Sequence, residues 1–194
     1  MKKVLVFATH NQHKVKEIQQ LLGDGYEIKT LTDIGCFEDI EESGLTLSEN
    51  AGIKSKYVFN TYGLNCFADD TGLEVEALNG APGVFSARYA GPQKRDEDNM
   101  SLLLSNLKQY SNKQARFRTV ISFIMDGSET LFEGVLEGEI IEEKRGANGF
   151  GYDPIFMPKD SNRTLAEMNG EEKNKISHRA IATLRFIDFL TKQS

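Results

Sequence analysis

Ala68-Asp69-Asp70-Thr71-Gly72-Leu73 is the stretch on which the reading of this chain turns. The apolar run from Asn65 to Ala68 meets two adjacent carboxylates and then a Thr-Gly pair. That pattern predicts a short strand ending at the acidic pair. In open α/β sheets, ligands gather outside strand ends. Neighbouring strand residues face opposite sides, so one Asp can face a ligand while the other braces the turn. The chemistry that fits is a magnesium ligand and general base. The competing reading, and the commoner one for the dipeptide alone, is a turn in which Asp satisfies local backbone N–H groups.

Working outward, Val4 to Ala8 is a continuous apolar run, as in a buried central strand. Val15, Ile18, Leu21 and Leu22 then recur at helical spacing, and Gly23 ends that helix. Tyr26 to Leu31 reads as a second strand and Asp33 to Ser43 as an acidic loop. Thr46-Leu47-Ser48-Glu49 has the capping-box pattern and opens a helix to about Tyr62. On the other side, Leu73 to Leu78 is a further extended stretch, and Asn79 to Gln93 is an ordered Gly/Ala/Pro loop. Asp96 to Lys108 is helical, with Met100, Leu103, Leu104 and Leu107 on one stripe. Arg116–Met125 and Thr130–Ile141 form a long hairpin around Asp126-Gly127. Gly146 to Pro158 is a Gly-rich loop, and Ile181, Leu184, Ile187 and Leu190 line a last helix. Mixed strands and helices, without repeat or linker, predict an α/β (mixed α+β) domain around one mixed sheet.

The 194 residues suit one domain, or one domain of two lobes. A hydrophobic content of 39%, with 17 Gly besides, is enough for a sizeable core. The net charge of −6 argues against a dominant nucleic-acid-binding surface. No apolar run reaches membrane-spanning length, and the Val4–Ala8 run stops too soon for a signal peptide. Cys36 and Cys66 lack metal-ligand spacing and read as two reduced thiols in a cytoplasmic protein.

Several further stretches have the residue types of a magnesium–polyphosphate site. Glu41-Glu42 offers hard oxygen ligands, of which magnesium needs only one or two. Asn50 and Lys54 are i and i+4 on one helix face, where Lys54 can neutralise phosphate. Thr9-His10-Asn11-Gln12-His13-Lys14 joins the first strand to the first helix, whose free N–H groups suit phosphate. It is not a Walker A loop. Gly149-Phe150-Gly151-Tyr152-Asp153 flanks a ring with glycines, so Phe150 can stack on a base and Asp153 can accept from a ring N–H or 2-amino group. Lys173, Ser177, His178 and Arg179 stand at the start of the last helix. Cations there oppose the dipole, which calls for a ligand or a carboxylate partner. Each stretch alone also has an ordinary reading as helix cap, surface lysine, acidic loop or core aromatic.

Taken in order, these stretches resemble the inosine/xanthosine triphosphate pyrophosphatase family. The match runs through Thr9-x-Asn11-x-x-Lys14, Glu41 to Thr46, Glu49-Asn50-Ala51, Ala68 to Leu73, Gly80 to Tyr89, Gly149 to Phe156, and Glu172-Lys173 with Ser177-His178-Arg179. The resemblance implies an elongated two-lobed fold with a cleft, a homodimer, and a magnesium requirement. It implies hydrolysis of ITP, dITP and XTP to the monophosphate and pyrophosphate. It makes Asp70 the general base and a magnesium ligand, and Glu41 a second ligand. Thr9, His10, Asn11, Gln12, His13, Lys14, Asn50 and Lys54 would face the triphosphate, and Thr71 the substrate. Phe150 would stack on the purine, with Gly151, Tyr152, Asp153, Lys173, His178 and Arg179 around it, the last two donating to the 6-oxo group. His10 stands where many members have Gly, His13 where many have a small residue, and Thr71 where Ser is commoner. Alternatives are a Maf-like nucleotide pyrophosphatase and a nucleotide sensor without turnover. Val84, Phe85 and Tyr89 either form a subunit interface or pack internally.

Overall fold

The computed structural model describes residues 3–192. The elements run β1 (Lys3–Phe7), α1 (Gln12–Leu22), β2 (Tyr26–Thr30), α2 (Leu47–Tyr62), β3 (Cys66–Val75), β4 (Pro82–Gly83) and α3 (Asp96–Leu107). β5 (Gln114–Met125), β6 (Ser128–Ile140), β7 (Phe156–Pro158), α4 (Gly170–Lys173) and α5 (His178–Lys192) follow. The strands form a mixed sheet in the order β2-β1-β3-β5-β6-β7, with β4 on β3. β1 pairs in parallel with β2 and β3, whereas β3–β4 and β6–β7 are antiparallel.

The chain divides into two compact units. The first holds residues up to Asp70, Thr119–Gly134 and the chain from Arg179; the second holds Thr71–Arg118 and Val135–His178. β3, β5 and β6 each pass from one unit into the other.

In the first unit β1 and β3 are apolar on both faces because both are covered. Leu5, Phe7 and Phe67 pack with Ile18 and Leu22 of α1 and with Ala182, Phe186 and Leu190 of α5. Val6, Ala8, Cys66 and Ala68 pack on the opposite face with Val58 of α2. Phe7 stacks on Phe67 at 4.4 Å, and Phe67, Phe123 and Phe132 all meet Phe186. Each such ring pair contributes roughly 0.5–1.5 kcal/mol beyond its area. The second unit has its own core, in which Leu73, Met100, Leu103, Leu107, Phe117, Ile155 and Phe156 are buried together.

The capping box of α2 forms as its sequence predicts, with Thr46 accepting from the Glu49 amide and the Glu49 carboxylate accepting from the Thr46 amide. Asp126 (φ 51°) and Gly127 (φ 84°) make the left-handed turn between β5 and β6. One expectation is overturned. The acidic pair does not end a strand: β3 continues through it from Cys66 to Val75, and the separate stretch at Leu73 to Leu78 is absorbed into β3 and a short 3₁₀ turn. Two carboxylates can sit inside a strand here because cationic side chains cover both faces at that point.

Candidate active site

Strand alternation assigns the two aspartates to different helices. Asp69 shares the face of Phe67, toward α1 and α5; Asp70 shares the face of Cys66 and Ala68, toward α2. Asp69, with its side chain fully buried, receives Lys14 Nζ at 2.9 Å and Arg179 Nε at 3.3 Å. Arg179 also pairs with Glu17, one turn beyond Lys14 on α1. Burial alone would raise the Asp69 pKa, but Lys14, Arg179 and Lys54 hold it well below the usual carboxylate range.

Asp70 is arranged differently. Asn50 Nδ2 donates to its Oδ2 at 3.1 Å, and Asn50 Oδ1 in turn accepts from the Gly44 amide at 2.8 Å. Lys54 Nζ lies 4.0 Å from Asp70 Oδ1, 2.5 Å from Glu42 Oε1, and donates to the Asp69 carbonyl at 2.7 Å. Burial raises the Asp70 pKa above 3.8 despite Lys54 and Lys14 nearby. Lys54 is opposed by burial, yet Asp70, Glu42 and Asp69 raise its pKa. The pKa values of the two adjacent carboxylates are thus shifted in opposite directions.

The Thr9–Lys14 loop is built as a cap. Thr9 Oγ1 accepts from the Asn11 amide at 3.1 Å, and Asn11 Oδ1 accepts from the amides of His13 (3.0 Å) and Lys14 (3.3 Å). His10 Nε2 donates to the Glu38 carbonyl at 3.2 Å, tying this loop to the acidic one. Gln12 and His13 are exposed. Of the acidic dipeptide, Glu42 meets Lys54, while Glu41 is exposed.

In the second unit Thr71 is half-buried in β3. Phe150 is half-buried, and Lys173 Nζ stands 5.0 Å over its ring. Asp153 is buried; its Oδ2 accepts from Lys173 Nζ (2.7 Å) and from the Phe150 amide (3.0 Å). The buried Tyr152 donates its hydroxyl to the Ser86 carbonyl at 2.9 Å, and burial pushes its pKa well above the ordinary tyrosine value. His178 is buried and stacks on Phe117 at 4.6 Å. Tyr89 packs internally, its hydroxyl accepting from Asn106, while Phe85 is exposed beneath Arg88 at 5.3 Å.

Several base-facing expectations therefore acquire other partners: Arg179 is turned to Asp69 and Glu17, Asp153 to Lys173, and His178 to Phe117. Of this network the sequence reading omits Glu17, and it singles out Asp69 and Glu42 only as members of acidic pairs, without their cationic partners. Glu17 had a signal, since i+3 from Lys14 shares its helix face. For Glu42 the dipeptide is the signal, but only the loop path decides which of the two adjacent glutamates meets Lys54.

The fold and these groups define an α/β protein with a buried carboxylate pair set among lysines, the build of a site for a phosphate-bearing ligand. The Ham1 family model matches residues 5–189, and the chain belongs to that family. A dITP/XTP pyrophosphatase of Christiangramia forsetii is 55% identical over 188 residues, covering 97% of this chain and 99% of that one. One of Bacillus subtilis is 50% identical over 184 residues, 93% of each chain. The Ham1 proteins of Staphylococcus aureus and Coxiella burnetii both superpose with a TM-score of 0.90, at 39% and 42% identity, covering 99% of this chain and 100% of theirs.

Proposed function

We infer that this chain hydrolyses non-standard purine nucleoside triphosphates (ITP, dITP and XTP) to the monophosphate and pyrophosphate. The observation that carries the reading is Asp70: a buried carboxylate of raised pKa, oriented by Asn50 and beside Lys54. The dITP/XTP pyrophosphatase relatives, matched over nearly their whole length, support the substrate class.

Phosphoryl chemistry at a triphosphate needs positioning and charge neutralisation more than covalent catalysis. Asp70 takes a proton from the attacking water, and its raised pKa makes it the stronger base. Asn50 fixes the Asp70 carboxylate through Oδ2. Lys54 and Lys14 offset the phosphate charge. In the second unit Phe150 presents a ring to the purine, its loop braced by Asp153 and Lys173.

A magnesium ion fits the donor set. Among the described residues no group of three or more His, Cys, Asp or Glu side chains is placed to hold a metal. Magnesium does not need one, because it retains waters and takes phosphate oxygens. The Lys54 ammonium between Asp70 and Glu42 marks a spot where carboxylates already face a cation. Asp70 with the Glu41–Glu42 pair would hold the ion, which when bound neutralises charge on the phosphates.

We also infer a homodimer in the cytoplasm. The exposed Phe85 supports a second copy, and no described helix is long and apolar enough to cross a membrane. Gel filtration with light scattering tests the dimer.

The function is tested by incubating the protein with magnesium and ITP, dITP, XTP, GTP, ATP or dTTP. Turnover of the first three over ATP and GTP, abolished by EDTA, is expected. Turnover of dTTP instead supports the Maf-like alternative, and ITP binding without turnover makes it a sensor.

A further inference from the structure

We propose that Asp96, at the start of α3, is a positioning residue for purine recognition: its carboxylate holds the Gly151 amide and so fixes the Phe150 ring against the base. This role rests on the reading of Phe150 as the stacking surface.

The segment between β6 and β7 is irregular, and its backbone bonds show what holds it. Ile141 and Arg145 donate to the Ile155 and Pro154 carbonyls, each at 2.9 Å. Ala147 and Asn148 both donate to the Ala166 carbonyl, at 3.1 and 3.0 Å. The tip itself, Gly149-Phe150-Gly151, is held by carboxylates. Asp153 Oδ2 takes the Phe150 amide at 3.0 Å, and Asp96 Oδ2 takes the Gly151 amide at 2.7 Å. Asp153 is local to the loop, whereas Asp96 is 55 residues away in the chain. The Asp96 bond ties the tip's backbone to α3, while Lys173 of α4 stands over the Phe150 ring.

Both glycines have left-handed backbone, at φ 76° for Gly149 and φ 64° for Gly151. Glycine adopts many other conformations as readily, so the sequence does not fix the ring's direction. Two adjacent amides held by two carboxylates do. The helix dipole favours a negative charge at Asp96, in the first turn of α3. Glu97, beside it, pairs with Lys144 near the other end of the same loop. That pair is exposed and contributes little. Loss of Asp96 therefore removes the bond that holds the Gly151 amide to α3 and loosens the tip.

The test compares wild type, Asp96→Ala and Asp96→Asn. Three readings are taken: ITP kinetics with magnesium, amide exchange across 148–152, and thermal melting. A charge-assisted hydrogen bond at an exposed site, lost, raises KM roughly 3–10-fold. Asp96→Ala is expected to show that rise, kcat within about twofold, faster exchange at Gly151 and an unchanged Tm. Asp96→Asn keeps an oxygen acceptor and is expected to fall between. An unchanged KM or unchanged Gly151 exchange in an active Asp96→Ala protein overturns the role. A fall in kcat together with Tm overturns it too, because that marks a merely structural residue. A wild type inactive on every 6-oxopurine triphosphate overturns the functional reading instead, and this role with it.

Discussion

Neutralising each of the adjacent aspartates in turn should have opposite consequences. Asp69 is fully buried and carries two cations, Lys14 and Arg179. Asp69→Asn preserves shape but leaves buried positive charge short of its partner. Breaking a buried pair from one side costs roughly 3–5 kcal/mol. For a chain of this size, each kcal/mol moves Tm by about 2–4 °C, so the expected fall is roughly 6–20 °C. The lower part of that range is favoured because Glu17 still pairs with Arg179. Asp70 has a pKa raised by burial, so folding disfavours its charge at neutral pH. Asp70→Asn should therefore keep or increase Tm, while turnover falls about 10²–10⁴-fold with the loss of the base. The assay is a urea and thermal melt of each variant beside ITP kinetics. A stable Asp69→Asn protein, or an unstable Asp70→Asn protein with normal turnover, would refute the division of roles.

Other consequences follow from single contacts. Burial pushes the Cys66 thiol up to about 12, so in a Cys36→Ser background it should resist a thiol reagent at pH 8 until denaturant is added; rapid native labelling would contradict this. Glu129 has its pKa lowered below 4.5: burial works the other way, but the bonds from Lys56 and Ser122 outweigh it. Its contribution to stability is thus complete above pH 4.5 and lost as pH falls through the folded value, so the Tm gap to Glu129→Gln should close in acid. A gap independent of pH would count against the pairing. At Gly149 a Cβ would stand 2.0 Å from Asp153 Oδ2, so Gly149→Ala should displace the brace of the Phe150 loop and raise KM for ITP; an unaltered KM would count against a rigid loop.

Local pattern carried much of the fold. The capping box at Thr46, the Asp126-Gly127 turn and the helical stripe through Leu103 and Leu107 need only neighbours in sequence, and each forms as its spacing predicts. β3 was misjudged because sequence shows polarity without showing what covers it. Asp69 and Asp70 break an apolar run, but Arg179, 110 residues on, and Lys54 supply the charges that let the strand continue. The site was legible as a set of residues, since carboxylates, lysines and a glycine-flanked ring are chemistry visible one by one. Their partners were not. That Asp153 takes Lys173, or that Glu42 rather than Glu41 meets Lys54, depends on loop paths and tertiary packing.

The central claim is that Asp70 directs water to the phosphorus that releases pyrophosphate. Hydrolysis of ITP with magnesium in ¹⁸O-water, followed by ³¹P spectroscopy, tests it most directly. The account predicts one pyrophosphate per ITP, label in the IMP, and both products formed about 10²–10⁴-fold more slowly with Asp70→Asn. IDP and orthophosphate, or label in the pyrophosphate, would contradict it.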